Sequence, residues 1–152
     1  GTTLLKIIER EQVCAKQIGF EITESVVLQS YETVAKVMME LSMKKITFAL
    51  DDFGTGYSNF RALMDLPYEY VKIDKTVTQK APSNPMMLTL LCEMLHKMDK
   101  CIIAEGVETK EQLDLARSIG IERIQGYYFS KPLPEKDFLE LVRSERTKQE
   151  KP

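Results

Sequence analysis

The segment Ile46-Thr47-Phe48-Ala49-Leu50-Asp51-Asp52 decides the fold. Its first five residues are apolar or β-branched, the make-up of a strand, and it breaks off in two adjacent carboxylates. Four further runs share that form: residues 18–23, 70–74, 101–105 and 123–126 are short, rich in β-branched or aromatic side chains, and finish in polar or charged groups. With residues 46–51 they make five expected strands.

The intervening segments carry helical periodicity. It is clearest where Met87, Leu90, Leu91, Met94, Leu95 and Met98 recur at three- and four-residue steps, a stripe expected to face the core. Asn84 before Pro85 marks a helix start, Thr109 with Gln112 fits a capping box, and Pro134 followed by Glu135 and Asp137 opens another helix. Gly120 supplies a left-handed stop. Strand then helix, repeated, implies a parallel sheet, because parallel neighbours need right-handed crossover connections. A (β/α) barrel and an open doubly wound sheet both satisfy that pattern. No glycine-rich dinucleotide fingerprint follows the first strand, which counts against the Rossmann form.

At 152 residues and 43% hydrophobic, the chain fits one packed domain. Its 21 Lys and Arg balance 23 Asp and Glu, so it lacks the broad positive field of a nucleic-acid binder, and no nucleic-acid polymer is expected as a partner. Cys14, Cys92 and Cys101 lie in or beside apolar segments without metal-ligand spacing and read as buried thiols in a reducing cytosol. His96 is the single histidine and cannot build a histidine-based metal site. No apolar run approaches the ~20 residues that span a bilayer and no signal-peptide pattern opens the chain, so a soluble, cytoplasmic protein is expected. A membrane-tethered parent remains compatible with this reading.

The strand ends collect the chemistry. Glu21 and Glu24, Asp51 and Asp52, Lys72 and Asp74, Glu105 and Glu108, and Gln125 all fall at or just past them. In a parallel barrel those ends share one face, the face that carries active sites. Carboxylates gathered there repel one another unless cations neutralise them. With oxygen donors only, the expected ions are hard, Mg²⁺ or Mn²⁺, and Asp51 beside Asp52 can help hold two of them for attack of water on a phosphodiester. Lys72 can fix the water or stabilise phosphate charge, and Glu105 and Glu108 can serve as ligand, base or orienting groups. Residues 52–58, with Gly54 and Gly56, read as a loop over the site.

These residues resemble a known family. Phe-Glu-Ile-Thr-Glu-Ser (20–25), Leu-Asp-Asp-Phe-Gly-Thr-Gly-Tyr-Ser (50–58), Val-Lys-Ile-Asp-Lys (71–75), Ile-Ala-Glu-Gly-Val-Glu-Thr (103–109) and Gln-Gly-Tyr-Tyr-Phe-Ser-Lys-Pro (125–132) occur in the order of EAL domains. The resemblance implies a TIM-like barrel and hydrolysis of the bacterial second messenger cyclic di-GMP to pGpG with Mg²⁺ or Mn²⁺. By it, Glu21 and Asp51 resemble ligands of a first ion and Asp52 a ligand of the second. Lys72 resembles the residue that positions water, and Glu105 the base or a metal-site carboxylate. Glu24 resembles the anchor of the loop containing Gly54 and Gly56, and Glu108 and Gln125 are supporting polar partners.

The departures shape further expectations. The Glu-Ala-Leu motif and a downstream asparagine of the family pattern are absent, and Thr76 stands where a phenylalanine is usual. Residues 1–142 are therefore read as the C-terminal portion of an EAL-type domain, a partial barrel of about five βα units, and residues 143–152 as a charged, frayed tail. Two metal ligands short, the chain is expected to be weak or inactive alone, with edges that pair in a homo-oligomer or with another chain. An upstream sensor or GGDEF domain fits the parent. The alternatives are a non-catalytic cyclic di-GMP receptor or interaction module on the same fold, or Schiff-base chemistry at Lys72. The surrounding carboxylates oppose the last by keeping the amine protonated.

Overall fold

The structure, a computed structural model, describes residues 2–55 and 60–149. Five strands form one sheet: β1 (Gly19–Thr23), β2 (Thr47–Phe53), β3 (Tyr70–Ile73), β4 (Cys101–Ala104) and β5 (Arg123–Ile124). All neighbours are parallel and their spatial order equals their chain order. That order separates the two architectures left open by the sequence. A doubly wound sheet reverses its strand order partway to place helices on both faces, whereas right-handed crossovers that always advance keep every helix on one side.

The helices are α1 (Thr2–Arg10), α2 (Glu24–Ser42), α3 (Phe60–Asp65), α4 (Lys75–Lys80), α5 (Pro85–Lys97), α6 (Lys110–Ile119) and α7 (Glu135–Gln149). The core lies between the sheet and α1 to α6; no described side chain of α7 is buried in it. Phe48, Leu50, Val71, Ile73, Ile102 and Ala104 point outward from alternate strand positions and are buried there with Val27, Leu63, Leu88, Leu95 and Leu113. Period-two alternation then turns Glu21, Ala49, Asp51, Lys72 and Ile103 to the opposite face.

Helix boundaries follow local chemistry. Thr109 and Gln112 close the expected capping box on α6, and Gly120 ends that helix at φ 87°. Asn84 stands before Pro85 at the start of α5, yet its side chain makes no capping bond. The expected core stripe of α5 holds at Leu95, which is buried, and at Leu91, Met94 and Met98, which pack partly buried against the core, but it is rotated at its first turns. Leu88, Cys92 and Leu95 are buried, while Met87 and Leu90 are 62% and 59% exposed. Apolar residues occupy almost every turn of this helix, so two adjacent faces satisfy the same period. Cys14 also departs from expectation: it is exposed, Cys92 is buried and Cys101 is partly covered. Helix α7 runs through the boundary expected at residue 143.

Candidate active site

Strand β2 carries an irregularity that shapes the site. It advances from Leu50 to Phe53 while its partner advances only from Val71 to Ile73, one residue fewer. Asp52 absorbs the extra residue at φ 58°, a left-handed conformation that aspartate tolerates better than most side chains. Alternation is thereby reset. Leu50 and Phe53 both enter the helix-side core, at 2% and 1% exposure, with Asp51 and Asp52 consecutive between them. An apolar-acidic-acidic-apolar run at a strand end is the sequence signal for this bulge, and simple periodicity passes over it.

Asp51, Asp52 and Glu105 each bring a carboxylate oxygen within 4.8 Å of the other two. Glu105 follows β4 directly, its backbone N–H donating to the Ile73 carbonyl at 3.1 Å. Gly106 comes next at φ 66°, packed so tightly on Lys75 that a Cβ would overlap the Lys75 side chain. The close approach locks the loop carrying Glu105 against the first turn of α4. Asp74 starts that turn, accepting from the Thr76 N–H at 2.7 Å. Burial alone would raise the Asp74 pKa, but the Thr76 hydrogen bonds and the neighbouring Lys75 outweigh it and hold the carboxyl below its ordinary range.

Lys72, from the middle of β3, rises into the acidic group. Its Nζ donates to Glu21 Oε2 at 2.7 Å and lies 2.8 Å from both Asp51 Oδ1 and Glu105 Oε1. Its side chain is 6% exposed, against 56% for Glu21. Burial by itself would lower the pKa of this ammonium; the Asp51, Glu105 and Glu21 carboxylates packed against Nζ overcome that and raise it. Asp51 Oδ1 is buried and, despite its proximity to Nζ, receives no well-directed hydrogen bond. An anionic oxygen left in that condition suits a cation. The donor set, carboxylate oxygens with no thiolate or imidazole, fits a hard divalent ion.

The other expected residues divide into nearby and separate. Glu21 joins the cluster through Lys72 and lies outside the three-carboxylate group. Glu108 accepts from Gln79 Nε2 at 3.3 Å and, with Glu105 and Gln125, lines an adjoining groove of about 630 Å³. The backbone of Gln125 ties two loops together, donating to the Ala104 carbonyl at 2.8 Å and accepting from the Val107 N–H at 3.2 Å. Glu24 is buried at the first position of α2. Gly54, at φ 98°, passes so close to Val77 that a Cβ would lie 2.9 Å from its Cγ2. Gly56 lies outside the described residues. Gly106, Gly126, Lys75 and Gln79 were not singled out from sequence, since their roles depend on which loops come together.

Known proteins resemble this chain in sequence and fold. The EAL domain family model matches residues 2–132. Cyclic di-GMP phosphodiesterase PdeL of Escherichia coli (strain K12) is 38% identical over 126 residues, covering 81% of this chain and 35% of that protein. The crystal structure of the EAL domain of Mycobacterium smegmatis DcpA has a TM-score of 0.85 and 30% identity, covering 94% of this chain and 66% of that one. The manganese and cyclic di-GMP complex of Klebsiella pneumoniae BlrP1 at pH 9.0 has a TM-score of 0.78 and 26% identity, covering 86% and 34%. The chain spans about a third or less of the length of the curated relatives it matches. A match over nearly the whole described chain, on a parallel sheet whose strand ends gather the acidic residues, leads to one conclusion: the chain belongs to the EAL domain family.

Proposed function

We propose that this chain is the C-terminal portion, residues 1–142, of a phosphodiesterase domain that opens cyclic di-GMP to linear pGpG with Mg²⁺ or Mn²⁺. The observation that carries the reading is the convergence of Asp51, Asp52 and Glu105 within 4.8 Å around a buried Lys72. Residues 143–152 are a charged extension, and coverage of 66% of the DcpA EAL domain supports assigning this chain to part of a larger barrel. Free Cys14, Cys92 and Cys101 support a cytoplasmic setting. Among the described residues no helix is long and apolar enough to cross a membrane.

Asp51 with Glu21 would hold part of one divalent ion's ligand set and Asp52 part of a second's, with Glu105 contributing a carboxylate oxygen. Such ions, when bound, polarise phosphoryl oxygens and make bound water a stronger nucleophile. The Lys72 ammonium donates to the attacking water or to a phosphate oxygen, where positive charge is most valuable as the phosphorane-like charge develops. Glu105 accepts the proton of the water as the new P–O bond forms and the bond to the departing ribose oxygen breaks, that oxygen taking its proton from solvent. Gly54 belongs to the loop that follows β2, a loop we assign Glu24 to anchor, and Glu108 and Gln125 line the wall beside Glu105.

The test is one assay of cyclic di-GMP binding and hydrolysis in Mn²⁺ or Mg²⁺, on this chain and on a chain extended at its N-terminus to include a Glu-Ala-Leu segment. Hydrolysis by the extended chain, abolished by Asp52→Asn, is the expected result, with turnover by the short chain much slower. Binding without turnover by the extended chain would replace the enzyme with a receptor.

A further inference from the structure

We propose that Lys72 is the built-in counter-cation of the carboxylate cluster, and that a divalent ion enters by taking Asp51 and Glu105 from it while the ammonium withdraws to Glu21. The proposal rests on the metal reading above. It deepens that reading by assigning Lys72 a role before any substrate arrives.

The geometry is a contest for the same oxygens. Asp51 and Glu105 each lie 2.8 Å from Nζ, and both also belong to the three-carboxylate group with Asp52. Glu21, Asp51, Asp52 and Glu105 bring four negative charges to a region where Lys72 supplies one positive charge. Asp51 and Glu105 are only 20% and 17% exposed, so water compensates them poorly. Without a cation between them they would repel strongly. Lys72 is buried to 6% exposure at a position that touches three of the four. It thus holds the carboxylates in place for an ion it must later yield to.

The contacts already lean toward a handover. The well-directed hydrogen bond runs to Glu21, the most exposed partner, whereas buried Asp51 Oδ1 is near Nζ without receiving one. An incoming ion therefore finds on Asp51 an oxygen with its lone pairs poorly used. Retreat of the ammonium toward Glu21 keeps one of its three close partners. The metal site is accordingly weaker than its carboxylates alone would make it, and readily exchangeable.

Two measurements test this without reference to turnover. Manganese affinity is determined calorimetrically on wild type and Lys72→Met; thermal midpoints are recorded in chelator for both, for Asp51→Asn and for the double variant. Lys72→Met is expected to bind Mn²⁺ at least tenfold more tightly. Its metal-free midpoint is expected to fall by roughly 10 °C, as removal of one partner from a buried ion cluster implies. Adding Asp51→Asn should recover most of that fall, because it removes the charge Lys72 no longer balances. Equal or weaker Mn²⁺ binding by Lys72→Met, when wild type binds, overturns the proposal, as does failure of the double variant to recover stability. Recovery with no Mn²⁺ bound to either protein upholds the counter-cation and overturns the metal reading instead. If Lys72→Met does not fold, Lys72→Gln, an uncharged donor that still reaches toward Glu21, carries the same measurements.

Discussion

Gly126 rests its Cα directly on the backbone of Val107, where a Cβ would overlap the Val107 amide nitrogen and carbonyl oxygen. This contact joins the loop after β5 to the loop that carries Glu105 and Glu108, and the Val107 carbonyl accepts from the Tyr128 N–H at 2.9 Å beside it. Backbone cannot yield as a flexible side chain can. Gly126→Ala is expected to cost at least about 3 kcal/mol, at the upper end of overpacking penalties, in urea unfolding. Gly19→Ala is the comparison: its nearest side-chain neighbour is Thr47 Oγ1, 3.1 Å from the added Cβ, so a smaller loss is expected there.

Tyr68 provides a pH dependence with a definite sign. Its ring is 3% exposed and its hydroxyl has no hydrogen-bond partner among the described residues. Burial, then the charge of nearby Glu24, pushes its pKa up to about 12 from the ordinary 10.0. The folded state therefore retains a proton that the unfolded chain loses first. This contribution is fully present below pH 10 and disappears as pH rises from 10 toward 12, a loss of roughly 3 kcal/mol. Tyr68→Phe should cost little near neutrality and should flatten this part of the alkaline decline, as read by urea midpoints at pH 8 and pH 11. An unchanged decline would show that Tyr68 ionises without cost.

The three thiols should react in order of exposure. Cys14 is exposed, Cys101 is partly covered with a pKa raised by burial, and Cys92 is fully buried with its pKa pushed up to about 12 by desolvation and then by Glu122. An aromatic disulfide reagent at pH 8 is expected to label Cys14 within the mixing period, Cys101 more slowly, and Cys92 only in denaturant. Early labelling of Cys92 would mean that α5 opens locally far more often than its packing implies.

The outer strands of the sheet predict assembly. Among the described residues β1 pairs only with β2, and β5 only with β4, leaving two open edges. Open edges recruit other strands. Solution scattering is expected to show species larger than the 17.5 kDa monomer, with edge-strand amides protected from exchange. A monodisperse monomer whose β1 amides exchange freely would remove that expectation.

Much of this molecule was legible because strand ends have a strong chemical signature. Each of the five apolar runs lies within one or two residues of an observed strand, and Asp51, Asp52, Lys72 and Glu105 from three of them meet, with Glu21 of a fourth joined through Lys72. The failures have physical causes. Helix α5 presents methionine and leucine on neighbouring faces, so periodicity alone could not choose Leu88 and Cys92 over Met87 and Leu90. The pressing of Gly106 on Lys75, and of Gly126 on Val107, arises between residues distant along the chain and leaves no local pattern. Lys72 was readable as a site residue, but its simultaneous contact with Glu21, Asp51 and Glu105 depends on the register of four strands, β1 to β4.

The bulge at Asp52 makes the spacing of the acidic pair a matter of counting as well as chemistry. Because one added residue lets two neighbours reach the same acidic cluster, deleting either Asp51 or Asp52 would restore strict alternation and leave one carboxylate where two now converge. Replacing a side chain here tunes the site. Changing the length of the strand by a single step dismantles it, so the tolerance of this segment to substitution and its tolerance to deletion should differ more sharply than anywhere else in the sheet.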